Sequence, residues 1–206
     1  LYSRKIAKEK FPDLIGDKYS DYIIDKIDYD FSQKEKFFNS TMGLYGALEV
    51  AQREFDLECE IKEYLKKFPE ASIVNLGCGL NDLFSRVNNG KCKGYNLDFE
   101  EVIKTREELL EKQDNEFNIA CDLNDYSWFE KIEKDNGIIF VASGVFYYFK
   151  KEEVKNLFVK MAEYFKCGTL AFDTCNKRGL KMILKLLKTI DMKEIGSYFC
   201  ISDNME

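Results

Sequence analysis

Histidine is absent from the 206 residues of this chain. That excludes Ser–His and Cys–His nucleophile pairs and any histidine general base. None of the seven cysteines (Cys59, Cys78, Cys92, Cys121, Cys167, Cys175, Cys200) falls in a Cys-x-x-Cys pair. No metal site is therefore expected. An odd set of thiols suits free, mostly buried cysteines in a reducing cytoplasm. No apolar run approaches the ~18–20 residues of a membrane span. No basic stripe stands out in a chain of net charge −6, so nucleic acid is not expected as a partner. No signal peptide is visible, and the opening on Leu1 rather than Met leaves the true N-terminus open. Repeats, low-complexity tracts and linkers are also lacking, which favours one domain over residues 1–206.

What is present is an ordinary apolar content of 45% and a high aromatic content of 15%, as in a folded globular protein. Residues 1–68 read as a helical cap. Phe11-Pro12-Asp13 breaks it early, and Phe68-Pro69 ends it. Within residues 42–67 one or two helices are expected, with Phe55, Cys59, Ile61 and Leu65 as the apolar face. From residue 69 the pattern alternates. Strands are expected at 71–76, 92–98, 117–121, 137–143 and 168–173, with helices near 80–87, 99–112, 125–133, 151–165 and 177–190. Five strands alternating with helices predict an α/β fold, a Rossmann-like parallel sheet with helices on both faces. Phe55, Phe158 and Phe165 are expected in the core by their spacing.

Ligands of such sheets bind beyond the carboxyl ends of the strands. That rule selects Gly77, Cys78 and Gly79 after the first strand and Asp98, with Phe99, after the second. It selects Asp122 and Leu123 after the third strand, Ser143 and Gly144 after the fourth, and Asp173 after the fifth. Gly77 and Gly79 allow close backbone approach to a ligand, and Asp98 can accept two hydrogen bonds from a ribose diol. A dinucleotide fingerprint needs a third small residue where Asp82 stands, which disfavours a nicotinamide cofactor. Two acids at successive strand ends fit S-adenosyl-L-methionine better. Asp122 can meet the adenine amino group, with Phe99 and Leu123 against the ring. Other readings stay open: plain turn glycines at 77 and 79, helix N-caps at Asp98 and Asp122, and simple core packing for Tyr147 and Tyr148.

Four stretches carry a family likeness: Ile73–Gly90 (IVNLGCGLNDLFSRVNNG), Tyr95–Ile103 (YNLDFEEVI), Ala120–Phe129 (ACDLNDYSWF) and Ala142–Phe158 (ASGVFYYFKKEEVKNLF). Together with Ile27–Gln33 and Arg53-Glu54-Phe55-Asp56, they resemble the leucine carboxyl methyltransferase family. Within it they are similar to the bacterial branch of tetracenomycin-type polyketide O-methyltransferases. The resemblance implies a class I S-adenosylmethionine-dependent fold. It implies that Gly77 and Gly79 hold the methionine end, Asp98 the ribose, and Asp122 and Leu123 the adenine. Arg53 matches an arginine that pairs with the cofactor carboxylate. Two further C-terminal strands are implied, expected to be missing from this chain, with Ile201-Ser202-Asp203-Asn204 as the approach to a sixth strand. The implied reaction is O-methylation of a carboxylate or hydroxyl on a small molecule or peptide end. A carboxylate needs no base; a hydroxyl would draw on Tyr147, the catalytic candidate, or on Asp173. Asn81, Glu100 and Ser143 depart from the family pattern, with Ser143 standing where the family has glutamate. These departures carry the alternative expectation of a non-catalytic S-adenosylmethionine-binding protein.

Overall fold

The computed structural model describes residues 1–189, 196 and 198–201. Three short helices open the chain: α1 (Tyr2–Lys10), α2 (Ser20–Ile24) and α3 (Ser32–Phe38). Next comes α4 (Thr41–Lys67), one continuous helix of 27 residues, started by Ser40, whose Oγ accepts from the Gly43 N–H at 3.2 Å. The core then alternates: β1 (Ser72–Leu76), α5 (Leu83–Val87), β2 (Lys93–Asp98), α6 (Glu100–Leu109), β3 (Glu116–Ala120), β4 (Ile138–Ala142), α7 (Lys151–Phe165), β5 (Thr169–Phe172) and α8 (Lys177–Thr189). Short 3₁₀ helices at Tyr126–Lys131 and Phe146–Tyr148 follow β3 and β4. Ser202, Asp203 and Asn204, part of the expected approach to a sixth strand, lie outside the described residues.

All four strand pairings are parallel, in the order β3-β2-β1-β4-β5. The chain reverses its direction of build between β1 and β4, which opens a crevice at their carboxyl ends. Strand alternation splits the core into two layers. Ile73, Ile139 and Val141 face Leu57, Ile61 and Leu65 of α4 and Leu83 and Phe84 of α5. Val74, Leu76, Phe140 and Ala142 face Trp128, Leu157, Met161 and Phe165. A third cluster, Ile6, Ala7, Ile15, Phe38, Ala47 and Ala51, fastens the N-terminal helices to α4. At about 1.5 Å per residue, α4 is roughly twice as long as the strands beside it. It enters β1 from its own C-terminus, so its N-terminal half overhangs the carboxyl edge of the sheet.

The buried stripe of α4 differs from the expected one. Ala47, Ala51, Glu54, Glu58, Ile61 and Leu65 face inward, while Phe55 is 39% exposed and Cys59 is exposed. Ala47, Ala51, Leu57, Ile61 and Leu65 set the phase of α4; Glu54 and Glu58 fall on that inner stripe, where Arg86 of α5 meets them at 2.8 Å and 2.6 Å, and Phe55 and Cys59 fall outside it. Of the other expected core aromatics, Phe165 is buried, and Phe158 is partly buried against the same cluster.

Trp128 is fully buried, edge-on to Phe129 and Phe140 and stacked on Phe165, and its indole N–H donates to the Leu123 carbonyl at 3.3 Å. Replacing Trp128 by Ala is expected to cost about 3–5 kcal/mol, read as a lowered urea midpoint. A change below about 1 kcal/mol would contradict this packing.

Candidate functional site

The site is built outward from β1. Gly77 (φ +61°) and Gly79 (φ +50°) both adopt the left-handed conformation that glycine tolerates best. At Gly77 a Cβ would stand 2.7 Å from Val145 Cγ2, so the turn packs directly on the loop after β4. At Gly79 a Cβ would meet nothing within 4 Å, so that side of the turn is open. The Gly79 N–H donates to Asp98 Oδ2 at 2.8 Å, and the Phe99 N–H donates to Asp98 Oδ1 at 2.8 Å. Asp98 thus links the turn to the end of β2. The N-cap position of α6 belongs to Phe99, not Asp98.

The third strand end joins this group through the Cys121 N–H, which donates to the Asp98 carbonyl at 2.9 Å. Asp122 is exposed and accepts from the Asn124 N–H at 2.8 Å, heading a turn rather than capping a helix. Leu123 is buried and Phe99 is 57% exposed, so only Leu123 is part of the core. Burial pushes the Cys78 thiol up to about 12 and the Cys121 thiol up to about 11, so neither ionises near neutrality.

Beyond β4 a second group assembles around Asp173. Asp173 accepts from the Gly144 N–H at 2.6 Å, the Tyr147 hydroxyl at 2.9 Å and Arg53 Nη1 at 3.0 Å. Arg53 lies alongside Gly144, where a Cβ would be 3.3 Å from Nη1, and among the described residues its buried Nε has no partner. Burial alone would lower the Arg53 value, but Asp173 and then Glu54 hold it above its ordinary range. Burial, reinforced by Asp173, drives the Tyr147 phenol well above its ordinary range. Tyr147 is held as a hydrogen-bond donor to Asp173. Ser143 Oγ donates to Glu54 Oε1 at 3.2 Å, which brings a buried carboxylate to the end of β4.

Several contributors were not selected at the carboxyl ends of the strands. Asn81 donates from Nδ2 to Glu54 Oε2 at 2.8 Å and accepts from Arg86, while Asp82 pairs with Arg86. Arg106 of α6, 3% exposed, donates to the Asn81 carbonyl at 2.5 Å. The available signal for Arg106 was its register: Ile103, Arg106 and Leu110 share one face, so an arginine occupies the apolar stripe.

The arrangement suits a ligand carrying a vicinal diol and an anion. Asp98 holds the glycine turn whose Gly79 is open on one side, and among the described residues Arg53 Nε is an unpaired donor. Among the described residues, no cluster of three or more metal-ligating side chains occurs, and no helix is long and apolar enough to cross a membrane.

The family model described as leucine carboxyl methyltransferase matches residues 4–162. A curated relative, the tetracenomycin polyketide synthesis O-methyltransferase TcmP of Streptomyces glaucescens, is 21% identical over 174 residues. That match covers 84% of this chain and 62% of the relative, so the chain spans less than two thirds of the relative's length. Among solved structures, an O-methyltransferase family protein from Burkholderia thailandensis aligns with TM-score 0.51 at 14% identity, over 97% of this chain and 60% of that one. The magnesium protoporphyrin IX methyltransferase of Synechocystis PCC 6803, solved with bound SAH, aligns with TM-score 0.50 at 12% identity, over 84% of this chain and 78% of that one. At these identities the likeness is one of fold.

Gly79→Ala is expected to cost roughly 1–2 kcal/mol from backbone strain alone. Gly77→Ala should cost more, because its Cβ also collides with Val145. Thermal or urea unfolding of both variants checks the order, and the reverse order would contradict the geometry of the turn.

Proposed function

The chain belongs to the leucine carboxyl methyltransferase family, and from that premise we propose that it binds S-adenosyl-L-methionine and methylates an oxygen of its substrate. The observation that carries this reading is the turn at Gly77–Asp82. Its Gly79 N–H is held by Asp98 while the outer side of Gly79 is open. When bound, this cofactor supplies an electrophilic methyl group on a positively charged sulfur.

The chain's residues then divide the work of binding. Asp98 accepts from the ribose hydroxyls with the lone pairs left over from the Gly79 and Phe99 N–H groups. Asp122 and the Leu123–Phe99 pair hold the adenine. Arg53 meets the carboxylate, and Gly77, Cys78, Gly79, Ser143 and Gly144 present backbone at close range. Where the family carries glutamate at position 143, Ser143 here donates to Glu54 of α4, a carboxylate paired with Arg86. Glu100 sits on the first turn of α6, where an acid favours the helix N-terminus, and pairs with Lys104 one turn on. The departures at Asn81, Glu100 and Ser143 are thus accommodated by local contacts, which favours a working enzyme over a non-catalytic binding protein.

For the acceptor, the better supported class is a carboxylate on a small molecule or peptide end. The phenol of Tyr147 is held neutral beside Asp173, and Asp173 already accepts three hydrogen bonds. The chain has no histidine, and burial keeps the Cys78 and Cys121 thiols protonated near neutrality, so neither of these group types offers a base. A carboxylate is already ionised, so alignment and exclusion of water are what remain to be supplied.

Calorimetry with S-adenosylhomocysteine tests cofactor binding. Asp98→Ala is expected to raise Kd by about 10–100-fold, the worth of one charged hydrogen bond of ~1.5–3 kcal/mol. No binding by the unaltered protein would overturn the reading. Transfer of labelled methyl to a carboxylate panel is expected to be flat from about pH 6 to pH 8.5, since acceptor carboxylates titrate near pH 4. A rate limb between those values would reveal a titrating base and contradict the acceptor class.

A further inference from the structure

Three successive carbonyls of the glycine turn are occupied from behind by arginines. Arg106 Nη1 donates to the Gly79 carbonyl at 3.2 Å and to the Asn81 carbonyl at 2.5 Å. Arg4 Nη2 of α1 donates to the Leu80 carbonyl at 2.6 Å. Each arginine is anchored elsewhere. Arg106 reaches Glu116 Oε1 at 3.1 Å and Asn118 Oδ1 at 3.3 Å on β3, and Glu116 is itself held by Asn96 Nδ2 at 2.6 Å on β2. Arg4 Nε pairs with the buried Asp17 at 2.6 Å, whose Oδ1 accepts from the N–H groups of Tyr19 and Ser20.

This arrangement answers a physical problem. A turn with two glycines in three residues has wide conformational freedom, and a ligand that ordered it would lose that entropy from its affinity. Pinning the carbonyls to the sheet on one side and to the N-terminal helices on the other removes the freedom beforehand. It leaves the Gly79 N–H beside Asp98 and the outer side of Gly79 open. A buried Arg–Glu pair contributes little to net stability once desolvation is counted, so positioning is the role that its geometry favours.

We propose that Arg106 and Arg4 are positioning residues that preorganise the turn Gly77–Asp82 for its cofactor, and that Arg4 couples the N-terminal helices to occupancy of that site. The proposal rests on the reading of this turn as the cofactor site. Neither arginine touches the ligand; each acts through the backbone. By linkage, whatever the α1–α2 segment gains from a fixed turn, the ligand gains from a fixed α1–α2 segment.

Hydrogen exchange without ligand, paired with S-adenosylhomocysteine calorimetry, separates this proposal from the cofactor assignment. Arg106→Met and Arg4→Met are each expected to speed amide exchange in residues 77–82 in the unligated protein. Each should also raise the Kd for S-adenosylhomocysteine roughly tenfold, the loss of about one hydrogen bond to a charged donor. In the unaltered protein, ligand is expected to slow exchange within residues 2–24, and Arg4→Met should abolish that distant protection. Arg106→Lys retains the buried charge, but its one ammonium, with three donors, cannot make the four bonds that tie two carbonyls to Glu116 and Asn118 of β3, so it should behave as Arg106→Met does. If the Arg106 variants fail to fold, the Arg4 arm decides, because the Arg4 side chain is partly exposed whereas that of Arg106 is buried. Unchanged exchange in residues 77–82 in folded variants overturns the clamp, whatever the ligand does. Faster exchange in the variants, with no binding by the unaltered protein, supports the clamp and rejects the cofactor assignment.

Discussion

The carboxyl edge of this sheet depends on how one glycine turn is held. Between β1 and α5 the chain passes through two left-handed glycines within three residues. Left alone, such a segment would sample many shapes. Here Asp98 takes the Gly79 N–H, Arg106 takes the Gly79 and Asn81 carbonyls, and Arg4 takes the Leu80 carbonyl. The turn is therefore tied to β2, to β3 through Glu116, and to the N-terminal helices. Val145 presses against Gly77 from the loop after β4. Strand order brings these anchors together, because β1 lies between β2 and β4 and its carboxyl end is where the topology opens.

A second layer of charge supports the first. Arg86 gathers Glu54, Glu58 and Asp82 under the turn, and Asn81 joins the same cluster through Glu54. Buried ion pairs of this kind add little net stability, since desolvation offsets their attraction, but breaking one leaves a stranded charge at a cost of several kcal/mol. Their effect is to fix geometry. Glu54 extends that geometry across to Ser143, so the ends of β1 and β4 share one carboxylate. Asp173 does the same for β4, β5 and α4 by accepting from Gly144, Tyr147 and Arg53.

Much of the fold was legible because strands covered on both faces read as continuous apolar runs, and helices between them show a 3.6-residue period. The expected helix at 151–165 coincides with α7, and each strand lies within about two residues of its expected bounds. The strand-end rule selects candidate residues without knowledge of their contacts, and the structure brings Gly79 to Asp98 and Gly144 to Asp173 at that edge. What escaped notice was buried charge. Glu54 and Glu58 lie on the inner stripe of α4, so a reading that sends charge outward chose Phe55 and Cys59 instead. Arg106 looks like one more charge in an acidic helix, and only its register with Ile103 and Leu110 sets it apart. Arg4 is 76 residues from the carbonyl it holds, a pairing that no local pattern encodes.

In the proposed reading the site binds, orients and shields, and draws on no histidine. Determining the structure with S-adenosylhomocysteine bound tests this account most directly. The account predicts ribose hydroxyls within hydrogen-bond distance of Asp98, adenine near Asp122 and Leu123, and the carbonyls of residues 79–81 still held by Arg4 and Arg106. A nucleoside seated away from Asp98, or a turn released from those arginines on binding, would contradict it.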